Sequence, residues 1–400
     1  MVWQRIKNVY HLFQALVACL FFGFPAQKLK VIGVTGTDGK TTTVHMIWQV
    51  LTAAGFKTGL ISSLGAKFDE KIEDTGFHVT TPSPFALQRL LAKMVDEKTE
   101  FAVLEVTSHG LDQNRVAFIP FEVGVLTNVN SEHLDYHKTF ENYLKAKGKL
   151  FQIAKVSILN VDDISFEKLE KKVGGQLVTY GIKNKANLAL KNFPLKLKIP
   201  GDYNYYNALA AAACCGTLGV QPLIIKKTLE NFLGLPGRME EVKNNLGIKI
   251  YIDFAHTPNA LEQVLKTLNV KRKTQNAKII SVFGAAGERD KLKRPLMGEI
   301  SAKLANITIV TAEDPRHEDP AQICQQILFG AKKEGGTLGK NIFVELDREK
   351  AIKLAIKLAR SQDIVAIFGK GAEKSMAYGK AEIPWSDKGT VIRVLKSIRK

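Results

Sequence analysis

The chain is predicted to be an α/β protein of two domains, and three observations lead there. Short apolar runs alternate with helical stretches through most of its length, the pattern of a largely parallel sheet with helices on both faces. One early run, Val31-Ile32-Gly33-Val34, opens directly into the glycine-bounded turn Gly36-Thr37-Asp38-Gly39-Lys40-Thr41-Thr42. A second alternating series begins after Leu233-Gly-Leu-Pro-Gly237, which has linker chemistry. The expected architecture is a P-loop-containing central domain with a mostly parallel sheet, followed by a Rossmann-like α/β C-terminal domain. The expected divisions are 1–29, an N-terminal apolar helix, then 30–236 and 237–400.

Four hundred residues suit two or three domains at about 100–200 residues each. A hydrophobic content of 45% and a charged content of 24% are those of an ordinary globular protein. The 57 basic and 39 acidic residues leave a net charge of +18, which attracts anionic partners. No helix-turn-helix, paired-cysteine finger or aromatic platform accompanies that charge, so nucleic acid is excluded and small anionic substrates are favoured. Cys19, Cys214, Cys215 and Cys324 lack metal-site spacing and fit a reducing cytoplasm. None of these signals encodes an oligomeric state.

In chain order, the first thirty residues hold Arg5, Lys7, Lys28 and Lys30 and no acid. Val9, Leu12, Phe13, Leu16, Val17, Leu20 and Phe21 recur at helical spacing. The run is short for a membrane span and lacks a good signal-peptide cleavage site. An amphipathic helix is expected, with that stripe packed on the core or lying on a membrane surface. After the turn, residues 41–54 read as a helix. Strands are expected at 58–62, 101–106, 123–129, 156–159 and 177–180, and helices at 204–218 and 223–232. The second series has strands at 248–254, 277–284, 307–312, 341–346 and 363–369, with helices at 258–268, 294–305, 321–332 and 348–358. Two such domains facing each other would form a cleft, a usual place for a site.

The glycine turn carries the clearest chemistry. Gly36 and Gly39 let the backbone present its N–H groups inward, and the helix that follows aims its positive end at the same hollow. Lys40 adds a cation and the Thr41 hydroxyl suits a magnesium ion. This is a Walker A-type triphosphate cradle, with glycine spacing shorter than the strict motif. Glu105 closes a buried strand, where a carboxylate is costly unless it serves a metal or a partner; it is a candidate second ligand for the magnesium. His133 lies in another strand-end cluster, residues 126–137. Tyr143 to Phe151 reads as a basic helix, and its spacing does not separate Lys147 from Lys145 or Lys149. In the second series, Arg238, Asp253, the charged loop 284–291, the loop 311–320 and Gly369-Lys370-Gly371-Ala372-Glu373 are polar ends of successive strands.

Taken together, these stretches resemble the Mur ligases, the ATP-dependent amino-acid-adding enzymes of cell-wall synthesis, nearest the branch that adds the third stem-peptide residue. The resemblance runs from about Lys30 to the C-terminus. It rests on T-G-T-D-G-K-T-T-T, T-T-P at 80–82, E-V-T-S-H-G-L-D-Q-N-R at 105–115, H-L-D-Y-H, Y-x-x-A-K, G-R-M-E, D-F-A-H-T-P, R-D-K-x-K-R-P-L-M and G-K-G-x-E. It implies that Gly36 to Thr42 bind ATP, with Lys40 on the phosphates and Thr41 and Glu105 on one magnesium. His133 would hold a second magnesium, and Lys147 would be carbamylated by carbon dioxide to an anion facing a metal. Asn207 would lie near adenine, with Arg238 and Asp253 near the phosphates and ribose. Thr80, Thr81, Thr107, Gln113 and Arg115 would contact the muramoyl-peptide. Arg289, Glu313, Asp314, Arg316, Gly369 and Glu373 would contact the incoming amino acid. The implied reaction is peptide-bond formation through an acyl phosphate, in the cytoplasm, with domain closure excluding water.

Three departures from the family pattern stand out. About 35 residues precede the cradle, where a separate uridine-binding domain would need at least about 50; that domain is expected to be absent, and a lipid-linked substrate would suit the apolar N-terminal helix. Glu313-Asp314-Pro315-Arg316 stands where D-N-P-R is common, Arg316 still favouring meso-diaminopimelate over lysine by bidentate carboxylate pairing. Ala372 replaces a histidine. The competing readings are a related ligase acting on another acid, such as a folate or polymer terminus, and a non-catalytic nucleotide-binding regulator. The 80–82 and 105–115 motifs oppose the first; Lys40, Glu105, His133 and Lys147 oppose the second.

Overall fold

The computed structural model describes every residue except 1, 69–70, 77–79, 273, 275 and 399–400. The chain divides into two compact units, Met1–Leu233 and Gly234–Lys400.

The first unit opens with α1 (Val2–Phe21) and a short 3-10 turn at Pro25–Lys28. It continues with β1 (Lys30–Thr35), α2 (Lys40–Ala53), β2 (Thr58–Ser62), β3 (Gly65–Phe68), β4 (Lys71–Glu73), α3 (Pro84–Asp96), β5 (Phe101–Glu105), α4 (Ser108–Asp112) and β6 (Phe121–Leu126). It closes with α5 (Leu134–His137), α6 (Phe140–Ile153), β7 (Val156–Asn160), α7 (Phe166–Glu170), β8 (Gln176–Gly181), β9 (Leu188–Ala189), α8 (Asp202–Thr217) and α9 (Pro222–Glu230). Nine strands form one sheet in the order β4-β3-β2-β5-β1-β6-β7-β8-β9, parallel except for the β3 and β4 edge. β1 and β5 are buried along nearly their whole length, as parallel strands covered on both faces must be. The chain leaves β1 for one side of the sheet and later returns on its other side, so the strand order reverses there, and loops at the carboxyl ends meet. Register matters at that point: Val34 lies opposite Glu105, which sets the carboxylate beside the loop that follows β1.

α1 is helical, but the expected apolar stripe is not what packs inward. Ala15, Ala18 and Cys19 are buried, whereas Val9, Phe13 and Leu20 are more than half exposed. α1 rests on α3, and small side chains permit the close approach. The run expected as a strand to Val129 ends at Leu126. Its last residues instead form a loop that grips the turn after β1, because Asn128 and Thr127 bond its backbone.

The second unit holds β10 (Glu240–Val242), β11 (Lys249–Asp253), α10 (Pro258–Lys271), β12 (Ile279–Phe283), α11 (Lys293–Leu304), β13 (Ile307–Val310) and α12 (Pro320–Lys333). β14 (Ile342–Val344), α13 (Arg348–Leu358), β15 (Ile364–Phe368), β16 (Ser375–Tyr378), β17 (Ala381–Pro384) and α14 (Asp387–Ile398) complete it. Its sheet runs β10-β11-β15-β12-β13-β14, parallel save for β10, and β16 and β17 form a hairpin apart. Ile250, Ile252, Ile280, Val282, Ile309, Val365 and Ile367 build its core. Arg348 fixes the carboxyl ends: fully buried, it forks onto Asp387 through Nε and Nη2, each at 2.8 Å, and donates to the Phe368 carbonyl.

Candidate active site

The loop between β1 and α2 is built by close approach. A Cβ on Gly36 would fall 1.8 Å from the Thr127 hydroxyl. Gly39 has φ +80, and a Cβ there would fall 2.3 Å from Asn207 Oδ1. Both positions therefore require glycine. Asn128 Oδ1 accepts from the Asp38 N–H at 3.0 Å, and the Asp38 carbonyl accepts from Thr127 Oγ1 at 2.7 Å. Thr37 Oγ1 pairs with the Tyr143 hydroxyl at 2.9 Å. Asn207 sits beneath the loop, receiving the Thr43 hydroxyl and donating to Asn204. Thr42 is buried beside them in the first turn of α2.

Two lysines enter this loop. Lys40 Nζ donates to the carbonyls of Thr37 (2.8 Å) and Gly36 (3.2 Å). Lys147, on α6, is 1% exposed; its Nζ donates to the same Gly36 carbonyl at 2.6 Å and lies over the Tyr143 ring. Lys145 is exposed and Lys149 pairs with Asp112, so the fold itself separates the three. Burial, reinforced by the Lys40 charge, holds the Lys147 amine well below the usual lysine range.

Glu105 is 4% exposed, and its Oε2 accepts from Thr41 Oγ1 and from the Ser63 N–H, both at 3.0 Å. Ser63 Oγ is also 3.0 Å from Thr41 Oγ1. A hydroxyl and a carboxylate converging beside a phosphate-type loop are hard oxygen donors, and they fit magnesium. His133 takes a left-handed backbone, φ 57, uncommon for a non-glycine residue and held here by tertiary structure. Its ring meets His109 edge-on, 4.8 Å between centroids. His137, lowered to about 4 chiefly by burial, is neutral and bonds the Ser108 hydroxyl.

A chain of bonds leads away from Glu105. Its carbonyl accepts from Thr81 Oγ1, which also receives the Thr107 N–H. Arg115 donates to the Thr81 carbonyl and to Gln113 Oε1, both at 2.9 Å. Gln113 reaches Tyr136, and Tyr136 donates to Asp112 at 2.8 Å. Thr80, half-buried, adjoins this row. Thr80, Thr81, Thr107, Gln113 and Arg115 are thus neighbours, continuous with the Thr41–Glu105 pair.

In the second unit, Asp253 binds backbone: Oδ2 accepts from Met239 N and Oδ1 from Ala255 N, both at 2.7 Å. Arg238 lies over the Phe254 ring, 4.3 Å from its centroid. Asp314 accepts from Lys370 through both oxygens at 2.8 Å and from Ala377 N; Lys370 also pairs with Glu373. Glu313 is 5% exposed, and burial pushes its carboxyl up to about 7. A Cβ on Gly369 would strike its Oε2 at 1.9 Å. Arg316, half-buried with φ 54, bonds the backbone of Ala377 and Gly379 through its N–H and carbonyl. Arg289 is half-buried in the loop after β12. Glu313, Asp314, Gly369 and Glu373 therefore form one cluster, with Arg316 on the same loop.

Sequence reasoning assigned no role to Ser63, Asn128, Tyr143 or Lys370. Ser63 directly follows β2, and only the adjacency of β2 and β5 brings it to Glu105. Lys370 stood inside the G-K-G-x-E motif, which was a usable signal.

Residues 34–215 match the model of the Mur ligase middle domain, and residues 237–371 that of the Mur ligase glutamate ligase domain. The chain is 39% identical over 405 residues to the UDP-N-acetylmuramoyl-L-alanyl-D-glutamate–2,6-diaminopimelate ligase 1 of Clostridium acetobutylicum, covering 96% of this chain and 82% of that one. It is 40% identical over 395 residues to the corresponding ligase of Aquifex aeolicus, covering 94% and 79%. A solved structure of such a diaminopimelate ligase superposes with a TM-score of 0.61 at 30% identity, covering 93% of this chain and 79% of that one.

Proposed function

This chain belongs to the Mur ligases, ATP- and magnesium-dependent amide-forming enzymes, and we propose that it joins 2,6-diaminopimelate to the D-glutamyl carboxylate of a UDP-linked muramoyl-dipeptide. The observation that carries this reading is the convergence of Lys40, Lys147 and the Thr41–Glu105 pair on one loop, continuous with the Thr81–Arg115 row. ATP would be seated on residues 36–42, with Asn207 supporting the loop; Arg238 and Asp253 are the residues proposed for its phosphates and ribose. Thr41 and Glu105 would hold one magnesium and His133 a second; the ion would offset the charge of two approaching anions.

The acid's carboxylate oxygen takes the γ-phosphoryl group and ADP leaves. The amine then attacks the acyl phosphate, the amide forms, and inorganic phosphate departs. Thr80, Thr81, Thr107, Gln113 and Arg115 would orient the acid. Arg289, Glu313, Asp314, Arg316, Gly369 and Glu373 would position the amino acid, Arg316 facing its distal carboxylate.

Lys147 is read as the carbamylated lysine. Its depressed basicity leaves a neutral amine, which adds to carbon dioxide and releases a proton, giving an oxygen-donor anion where a cation stood. Work in the cytoplasm is inferred from the supply of ATP there.

The test is phosphate release with the UDP-linked dipeptide and a panel of amino acids. Release only when both are present, and fastest with diaminopimelate, is expected. Release indifferent to the acid would overturn the reading.

A further inference from the structure

We propose that the outward stripe of α1 is a docking surface for an anionic lipid bilayer, so that the protein works lying on a membrane. The stripe is set by the helical repeat. Val9, Phe13, Leu16 and Leu20 fall on one face, 67%, 63%, 37% and 62% exposed. Phe21 extends it, its ring 6.5 Å from that of Phe85 on α3, itself 41% exposed. The opposite face, Ala15, Ala18 and Cys19, is spent on packing inside the unit. A row of large apolar side chains turned to solvent marks an interaction surface.

Charge selects the occupant. No acidic residue occurs before Asp38, while Arg5, Lys7, Lys28 and Lys30 lie within the first thirty residues. Lys7 on α1, Lys28 in the 3-10 turn after it and Lys30 at the start of β1 are exposed. An apolar face on a segment whose own charged residues are all cations complements acyl chains beneath anionic headgroups. No helix of the described residues is long and apolar enough to cross a membrane, so the fit is to lie in the interface.

The inner side of α1 gives the docking a direction. Asn8 donates to Asp112 Oδ2 at 3.2 Å, and its carbonyl accepts from Asn114 at 3.1 Å. Docking through α1 therefore holds the segment of Gln113 and Arg115 close to the bilayer, whatever acid that segment binds.

The full chain is sedimented with vesicles of neutral phosphatidylcholine, and with vesicles carrying about 30% phosphatidylglycerol. Partition into the anionic pellet is expected, weaker on neutral vesicles and reduced by high salt. Phe13→Glu combined with Leu16→Glu is expected to lower binding about ten-fold or more, with the parent's unfolding temperature retained. Should that variant melt early, Lys7→Glu with Lys28→Glu is expected to abolish the preference for anionic vesicles. Equal pellets with and without vesicles overturn the proposal, as does undiminished binding by either folded variant. A lipid-free dimer that the stripe variant dissolves overturns it too, reassigning the face to a second copy of this chain.

Discussion

Lys40 and Lys147, 107 positions apart in sequence, donate to the same carbonyl, that of Gly36, at 3.2 Å and 2.6 Å. Two ammonium groups on one oxygen repel, and only Lys40 retains solvent contact. The repulsion is relieved when Lys147 gives up its proton, which burial already favours. The proposed carbamylation starts from that neutral amine, since only an unprotonated amine adds to carbon dioxide.

Lys147→Ala is expected to lower phosphate release by about a hundred-fold or more, with partial rescue by short carboxylic acids that supply the missing anion. Depleting dissolved carbon dioxide should slow the parent and leave the variant unchanged. Absence of both effects would remove the carbamate assignment.

The same group carries a pH-dependent stability penalty. The folded Lys147 sits below its unfolded range, so the unfolded state binds more protons across that interval. Stability is lost as pH falls through the interval, and the full penalty stands below the folded value. Lys147→Met removes the penalty while filling similar space. It is expected to be inactive yet more stable, by about 1–3 kcal/mol near neutral pH, as read by thermal and urea unfolding.

Glu105→Gln keeps the shape and removes the charge. It is expected to raise the magnesium concentration for half-maximal phosphate release by about ten-fold or more and to lower the maximal rate. Ser63→Ala should be mild, within a few-fold, since Glu105 accepts from the Ser63 backbone N–H, which the substitution retains. A magnesium dependence equal in Glu105→Gln and parent would separate Glu105 from the metal.

These two carboxylate neighbours show what the sequence discloses and what it withholds. The tight turn after β1 was legible because glycines, lysine and threonine stand close together in the sequence. Glu105 was legible because a charge at the end of an apolar run is conspicuous. Ser63 was not: an ordinary serine 42 positions away, it reaches Glu105 only through the strand order β2-β5-β1. Lys145, Lys147 and Lys149 could not be ranked, because their faces acquire meaning only once α6 is laid on the sheet. α1 was read as a helix, but its inner face followed side-chain size rather than hydropathy, as Ala15 and Ala18 let it approach α3. The β3–β4 and β16–β17 hairpins went unread; they are short, and the exposed Ala381–Pro384 has no apolar alternation to betray it.

Glu313 gives a pH test in the second unit. Burial raises its folded value to about 7, above the unfolded one, so the folded state is the better proton binder between them. The stabilisation is full below the unfolded value and is lost as pH rises through about 7. Glu313→Gln cannot ionise. Its unfolding free energy relative to the parent is expected to improve by about 2 kcal/mol between pH 5 and pH 8.5. A pH-independent difference between the two proteins would mean that Glu313 is not the group that titrates.

Arg316 is the proposed determinant of amino-acid choice. Its backbone is fixed on both sides, by the Ala377 carbonyl of β16 and by the Gly379 N–H in the turn after it, and the left-handed conformation fixes the direction in which the side chain leaves the loop. The nearby cation Lys370 is already held by Asp314 and Glu373. Arg316 is the one Arg or Lys in the loop 311–320, and we propose that its guanidinium pairs with a second substrate carboxylate. Arg316→Ala is expected to lower kcat/KM for diaminopimelate by about a hundred-fold, mostly through KM, while lysine, which lacks that carboxylate, changes by no more than about two-fold. Parallel losses for both amino acids would move the specificity elsewhere on the chain.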